Sequence, residues 1–274
     1  MKNETIKSQW RQFAQQWALY GPPQRPSRSE VGVFSQLLKD LPAHSKGLVL
    51  GSTPELRDLL HDHGLEVTVV DIQPLVIKIL RDFMENKDRS ENEVEASWLD
   101  TPFVSQKFNV IVGDWIFGNV PFAEQDNLTK EIHRILKNDG YFIHRHHYFY
   151  QPRKKITDIL SEYGDLKKIN ENWLVFDLVL LSTTPQNSYV QSPRVVKEEL
   201  QHHIKKSAKE NRVLLQKYHD IFHQQLPRDD KLWWYGPRAG MEAIYQKYFD
   251  IAAVKYGNDH KFTDICPIYF LKKK

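Results

Sequence analysis

The sequence predicts an α/β fold, doubly wound around a mostly parallel sheet. Three observations carry that reading. Short continuous apolar runs such as Gly47-Leu48-Val49-Leu50-Gly51 and Val67-Thr68-Val69-Val70-Asp71 have the pattern of strands buried on both faces. Amphipathic stretches of helical length alternate with them. Near the C-terminus two further apolar segments flank Gly257-Asn258-Asp259, which is turn chemistry.

In chain order, Trp10, Phe13, Ala14 and Trp17 fall at i, i+3, i+4, i+7 and predict an amphipathic helix, stopped by Gly21-Pro22-Pro23. Ser27 followed by Glu30 reads as a capping box opening a second helix to about Leu41. After the first strand, Pro54 suits the first turn of a helix running to about His63, and Gly64 sits where a terminating glycine belongs. Pro74 opens the next helix, with Leu75, Ile79 and Phe83 on one face. A weaker third strand is expected from about Val94 to Leu99, and a fourth at Val110-Ile111-Val112-Gly113. A helix from about Glu124 to Leu136 and an Asn138-Asp139-Gly140 turn lead into a fifth strand from Tyr141 to about His147.

Past Tyr150 the alternation breaks. Pro152 to Tyr163 reads as helix, and Trp173 to Leu181 as a strand or buried segment. Pro193 to Leu226 reads as one long helix or two, since Ser207 and Asn211 interrupt its apolar stripe. The pattern resumes with a helix over Met241 to Tyr248 and strands over Phe249 to Tyr256 and Asp264 to Leu271. The expected organisation is a single domain over 1–274. It comprises N-terminal helices (1–42), a cofactor-binding core (43–150 and 235–274) and a mainly helical insertion (151–234) read as a substrate lid. The whole is a Rossmann-like, seven-stranded sheet with an antiparallel C-terminal strand.

Composition bounds the function. The chain has 274 residues and one cysteine, Cys266, which excludes a disulfide framework or a Cys-rich zinc module. Mean hydropathy is −0.57 and no apolar run approaches the ~20 residues of a bilayer span. The segment Met1 to Lys7 lacks the apolar run of a secretory signal, so a cytoplasmic protein without a membrane partner is expected. The net charge of +3 does not by itself imply nucleic acid.

A strand ending in Gly51, a turn into a helix, and Asp71 twenty residues on at the end of the next strand form a nucleotide-cofactor layout. Gly51-Ser52-Thr53-Pro54-Glu55 has one glycine where a dinucleotide fingerprint has three, which disfavours NAD.

These segments resemble the class I S-adenosylmethionine-dependent methyltransferases, over residues ~45–150 and ~235–274. Leu50-Gly51-Ser52-Thr53-Pro54-Glu55 is similar to a variant first motif, and Val70-Asp71 to the second-strand acid that holds ribose hydroxyls. Ala96 to Phe103 resembles the adenine segment, Phe108 to Asp114 the fourth strand, and Ile135 to Tyr141 the turn before the fifth. The resemblance implies S-adenosylmethionine as cofactor and methyl transfer as activity. It implies cofactor contacts at Gly51, Ser52, Thr53, Glu55, Asp71 and Ile72, and at Leu99, Asp100, Gly113, Asp114 and Trp115. Glu55 and Asp114 are the two candidates for partner of the cofactor's ammonium, since apolar Val49 stands where the family often has an acid.

On the acceptor side, strand alternation puts His144 and His146 on one face of strand five, as tentative catalytic bases, with Arg145 and His147 on the other. Asn119, His147, Tyr148, Trp234 and Tyr235 are candidate substrate contacts. His219 and His223 lack a third ligand, so no metal is expected. The reading is methyl transfer to O or N of a small or medium-sized molecule. An RNA methyltransferase, suggested by paired lysines in the insertion, and a non-catalytic cofactor-binding protein stay open as alternatives, as does the oligomeric state.

Overall fold

The structure, a computed structural model, describes residues 11, 14–148, 154–182 and 189–274. Trp10, Phe13 and Tyr150 lie outside the described residues. Strands β1 (Lys46–Leu50), β2 (Glu66–Asp71), β3 (Asn92–Glu95), β4 (Phe108–Asp114), β5 (Leu136–Arg145), β8 (Phe249–Lys255) and β9 (Ile268–Lys273) form one sheet in the order β3-β2-β1-β4-β5-β9-β8. Strand β9 runs antiparallel to both neighbours, and the remaining pairs are parallel. The chain crosses over between β1 and β4, so the sheet opens a crevice at their carboxyl ends, where doubly wound sheets bind ligands.

Alternation along the buried strands divides the core into two layers. Leu48, Leu50, Val70, Ile111 and Phe142 face helices α4 (Phe122–Ile135) and α9 (Arg238–Tyr245), meeting Leu128, Ile132, Met241 and Tyr245. Val49, Val67, Val69, Val112 and Ile143 face α1 (Arg28–Leu38), α2 (Pro54–Asp62) and α3 (Pro74–Arg81), through Phe34, Leu38, Leu56, Leu60 and Ile77. The capping box of α1 forms as expected: Ser27 Oγ accepts from Glu30 N at 3.2 Å, and the Glu30 carboxylate accepts from Ser27 N at 2.8 Å. Gly64 follows α2 with φ +68°.

Between β5 and α9 lie α5 (Ile156–Glu162), α6 (Glu171–Ser182), α7 (Pro193–Lys206) and α8 (Lys209–Gln225), with a two-stranded ribbon of β6 (Val190–Gln191) and β7 (Trp233–Trp234). These helices share a core of Ile159, Leu174, Leu178, Val196, Leu200, Leu215, Tyr218 and Phe222. Ser207 adopts an extended backbone and separates α7 from α8.

Four boundaries differ from expectation for identifiable reasons. The segment Trp173 to Leu181 is helical, not a strand. It is apolar all round because Leu174 and Leu178 face the insertion core while Phe176 and Leu180 pack on Phe262 and Cys266. Asn138-Asp139-Gly140 is not a turn but part of β5, at a register shift opposite Phe108 and Val110. Strand β3 spans Asn92–Glu95, so Trp98 and Leu99 leave the strand and reach the crevice. The last strand begins at Ile268, four residues later than expected, after a 3-10 turn over Thr263–Ile265.

Candidate active site

At the end of β1 the chain turns sharply at Gly51, whose φ of +87° favours glycine. A Cβ there would meet Trp98 Cζ2 at 3.4 Å. One carbonyl pins this turn: Val70 O accepts from Gly51 N at 2.9 Å and from Trp98 Nε1 at 3.0 Å. At the next strand end, Asp71 accepts from Gln73 N at 2.9 Å and from Ser52 Oγ at 3.3 Å. Both donors are neutral, and burial pushes this carboxyl up to about 6.

Beyond β4, Asp114 is already engaged. Arg145 Nε and Nη2 donate to its two oxygens at 2.7 and 3.1 Å. The same fully buried guanidinium donates to Glu30 at 2.6 Å and to Pro23 O at 2.9 Å, and lies 5.1 Å from the Trp115 ring centroid. Burial and the nearby Glu30 charge raise the Asp114 pKa against the pull of Arg145, whereas Arg145 and His260 hold Glu30 below its ordinary value despite burial. Trp115 itself has φ +51°. Its ring stacks on Phe176 of α6, with centroids 5.7 Å apart. Asn119 donates its amide to Trp115 O at 3.0 Å and accepts from Lys231 Nζ at 2.9 Å.

These groups line one cavity of about 420 Å³, within the range of small-molecule sites. Its floor is the strand ends: Gly51, Thr53, Asp71, Ile72, Leu99, Asp114 and Trp115, with Trp98 beside them. Asn119 and Tyr235 also line it. Its roof comes from the N-terminal segment (Tyr20, Gln24) and from the insertion (Phe176, Val179, Lys231, Trp233). Tyr20 Oη donates to Gln225 O at 3.0 Å and Gln24 Nε2 to Asn172 O at 2.8 Å, so the two halves of the roof are tied together.

Other expected residues stand apart from the cavity wall. Ser52 reaches it only through Asp71, and Gly113 is buried behind Ile116. Glu55 pairs with Arg25 at 2.5 Å, and burial raises its pKa against that cation. Asp100 is exposed and bridges Ser97. His144 and His146 are fully buried among Phe117, Tyr148, Tyr245 and Tyr269. Burial pushes His146 down to about 3 and His144 well below its ordinary value. His147 stacks on Tyr235 at 4.5 Å, one layer behind the wall, and Tyr148 packs against Tyr269. Trp234 pairs with Val190 in the ribbon, while its neighbour Trp233 lines the cavity. The bidentate Arg145 corrects the expectation for Asp114, whose carboxylate faces a guanidinium rather than standing open for an ammonium. Lys231 stands in no sequence motif, strand alternation places Arg145 on a face of β5 without revealing its carboxylate partners, and Trp98 lies within the adenine-like segment.

Among the described residues, no group of three His, Cys, Asp or Glu side chains is placed to hold a metal ion, and no helix is long and apolar enough to cross a membrane.

A family model described as a methyltransferase domain matches residues 50–144, from the first strand's end to the fifth strand. No curated protein sequence matches the chain. Among solved structures, the N-methyltransferase NodS from Bradyrhizobium japonicum WM9, in complex with S-adenosylhomocysteine, aligns over 97% of this chain and 98% of its own at 12% identity and a TM-score of 0.52. A SAM-dependent methyltransferase from Methanosarcina mazei aligns over 87% and 96% at 13% identity and a TM-score of 0.51. A Rhodobacter sphaeroides protein provisionally named a Zn-dependent alcohol dehydrogenase aligns over 98% of both chains at 14% identity and a TM-score of 0.62. At such identities these likenesses speak for the fold alone. The domain match falls on the strand ends that build the cavity, so residues 50–144 resemble a methyltransferase domain, set within a seven-stranded sheet whose β9 is antiparallel.

Proposed function

We propose that the cavity binds S-adenosylmethionine across the β1, β2 and β4 ends, and that the insertion closes over a small or medium-sized acceptor methylated at O or N. The observation that carries this reading is the joining of Gly51, Asp71 and Trp98 to Phe176, Trp233 and Tyr235 in one roofed space. Asp71 takes hydrogen bonds from Gln73 N and Ser52 Oγ, and its position on the cavity wall leaves acceptor capacity for two ribose hydroxyls. Trp98, Leu99 and Ile72 offer flat apolar surface for adenine, and Thr53 with the Gly51 turn faces the aminocarboxypropyl end.

Bound there, the cofactor supplies an electrophilic methyl on its sulfonium. The chain's contribution is to orient the acceptor in line with that methyl and to keep water out, which can supply most of the rate enhancement of a displacement. Trp115, Phe176 and Tyr235 form the aromatic wall for that orientation, and Asn119 presents a fixed carbonyl oxygen. The imidazoles of His144, His146 and His147 stand outside this space, so the reading assigns catalysis to positioning. Calorimetry should detect micromolar binding of S-adenosylhomocysteine that collapses in Asp71→Ala. A labelled-methyl screen against metabolite extract and total RNA should place label in a metabolite. Label in RNA alone would refute the acceptor class, and an absence of wild-type binding would refute the site.

A further inference from the structure

Beyond the strand ends the cavity is walled by the insertion. Helix α6 supplies Val175 and Val179, one turn apart, with Phe176 beside them. Pro193 opens α7 and Leu226 follows α8, and both extend the same wall. The three α6 side chains are buried. The mid-helix charge of α6 is committed elsewhere: Asp177 is fully buried, and its Oδ2 accepts from Tyr163 Oη at 2.6 Å, Lys154 Nζ at 2.9 Å and Lys261 Nζ at 2.5 Å. Charged side chains that do line the cavity are engaged by the protein itself. Arg145 holds Asp114, Gln73 N and Ser52 Oγ donate to Asp71, Asp230 pairs with Arg228 at 2.9 Å, and Asn119 accepts from Lys231 at 2.9 Å. Two amides of the cavity wall are not fully used. Gln24 donates Nε2 to Asn172 O at 2.8 Å, which orients the amide, and its Oε1 is buried without a partner. Gln225 is only 4% exposed, and its Oε1 is also buried without a partner. The Trp115 indole N–H is in the same condition.

We propose that the methyl acceptor is an uncharged, largely apolar molecule bearing a hydroxyl or N–H donor, seated against this wall with its donor on the Gln225 amide. The inference rests on the reading of the cavity as a methyl-transfer site. An ionised group brought against Val175, Phe176 and Val179 gives up its hydration to an apolar face, a cost that an uncharged ring or chain escapes. A buried amide oxygen without a partner is itself costly. A ligand that brings an O–H or N–H therefore gains there, and one that brings a second acceptor does not. A hydroxyl suits both kinds of unpartnered group, since it can donate to an amide oxygen and accept from the Trp115 indole. A broad apolar surface with a few directed polar groups is also how small-molecule sites fix orientation, which is what the transfer asks of this wall.

The test is calorimetry on the full chain with two probes that share a ring system: naphthol, neutral with one hydroxyl, and naphthoate, its anionic counterpart. Each is titrated at neutral pH with saturating S-adenosylhomocysteine present, and again without it. Naphthol should bind at least about tenfold tighter than naphthoate. Val179→Asp, which plants a charge on the wall, should weaken naphthol binding by about tenfold or more. Gln225→Leu removes the amide and should weaken it about fivefold. Thermal unfolding checks that both variants are folded. Naphthoate bound as tightly as naphthol, no naphthol binding up to its solubility, or naphthol affinity unchanged in Val179→Asp would overturn the inference, and an unchanged affinity in Gln225→Leu would overturn the role of its amide. Failure of the wild type to bind S-adenosylhomocysteine would instead remove the reading of the cofactor site, and the probe comparison made without it would still decide the character of this wall.

Discussion

Replacing Arg145 by methionine should be among the most damaging single changes in this protein. The guanidinium is fully buried and gathers four acceptors: both Asp114 oxygens, Glu30 at 2.6 Å and Pro23 O at 2.9 Å. Methionine keeps much of the side chain's volume over Trp115 but leaves two buried carboxylates without their cation. Breaking a buried pair by removing one partner costs about 3–5 kcal/mol. With a total stability of roughly 5–15 kcal/mol and a urea slope near ~3 kcal/mol/M for a chain of this size, the midpoint should fall by about 1–2 M. The pH dependence separates charge from packing. In the wild type Arg145 depresses Glu30, so that contribution is present above the ordinary carboxyl range and lost as pH falls through it. In the variant both carboxyls rise, the native state takes up protons more readily than the unfolded one, and stability recovers on acidification. The gap between the two proteins should therefore be widest near neutrality and shrink toward about pH 4–5. Urea titrations at several pH values measure this. A midpoint within experimental error of wild type, or a deficit that does not change with pH, would refute the charge argument.

Acidification should weaken the wild type through its buried imidazoles, because His144, His146 and His147 have native pKa values below ~6.5, so the stability they confer is present above that pH and lost below it. Each can remove up to ~1.4 kcal/mol per pH unit, and His146→Phe should flatten the fall in urea midpoint between about pH 7 and pH 5.5; an unchanged slope would contradict this. A Cβ at Gly118 would approach Tyr235 Cε1 to 2.7 Å, and that ring is backed by His147, so Gly118→Ala should cost about 1–3 kcal/mol of stability by overpacking, read in the same titration. Ser27→Ala removes the acceptor for Glu30 N and should cost about 1 kcal/mol, seen as a thermal midpoint lowered by a few degrees, with Ser27→Asp restoring most of it.

The parts of this fold legible in the sequence are those whose cause is local. Continuous apolar runs fix the central strands, the Ser27–Glu30 pair fixes the start of α1, and the twenty-residue step from Gly51 to Asp71 puts both on the cavity floor. Local cause also misleads. Trp173 to Leu181 is rich in β-branched and aromatic residues and lacks a polar face, so periodicity could not separate strand from a helix buried on both sides. Asn138-Asp139-Gly140 carries turn chemistry, but pairing with β4 absorbs it as an irregularity within β5. His144 lies near a strand end, a place that suggests function, whereas its surroundings come from Phe117, Tyr245 and Tyr269, far apart in sequence. Arg145 meets Glu30 across 115 residues and Lys231 meets Asn119 across 112, separations no spacing rule reaches. Lys231 moreover sits in Arg228-Asp229-Asp230-Lys231, which has the composition of a solvated turn.

The glycine-poor first turn follows from the same geometry. A glycine-rich loop earns its place by letting backbone approach a ligand, and each extra glycine adds chain entropy that folding must overcome. Here a single glycine makes the one left-handed step at residue 51, and the rest of the turn is held from outside. The Val70 carbonyl receives both Gly51 N and the Trp98 indole, so the segment after β3 clamps the turn after β1. Ser52 spends its hydroxyl on Asp71 and ties the turn to the β2 acid as well. Flexibility has been exchanged for cross-links, and a site built that way arrives pre-shaped, with little left to order when a ligand enters. The same logic extends to the roof, where Lys231 reaches Asn119 and Tyr20 reaches Gln225 across the cavity. The turn at Gly51 thus needs no further glycine to hold its shape: the Val70 carbonyl, the Trp98 indole and the Ser52 hydroxyl already fix it.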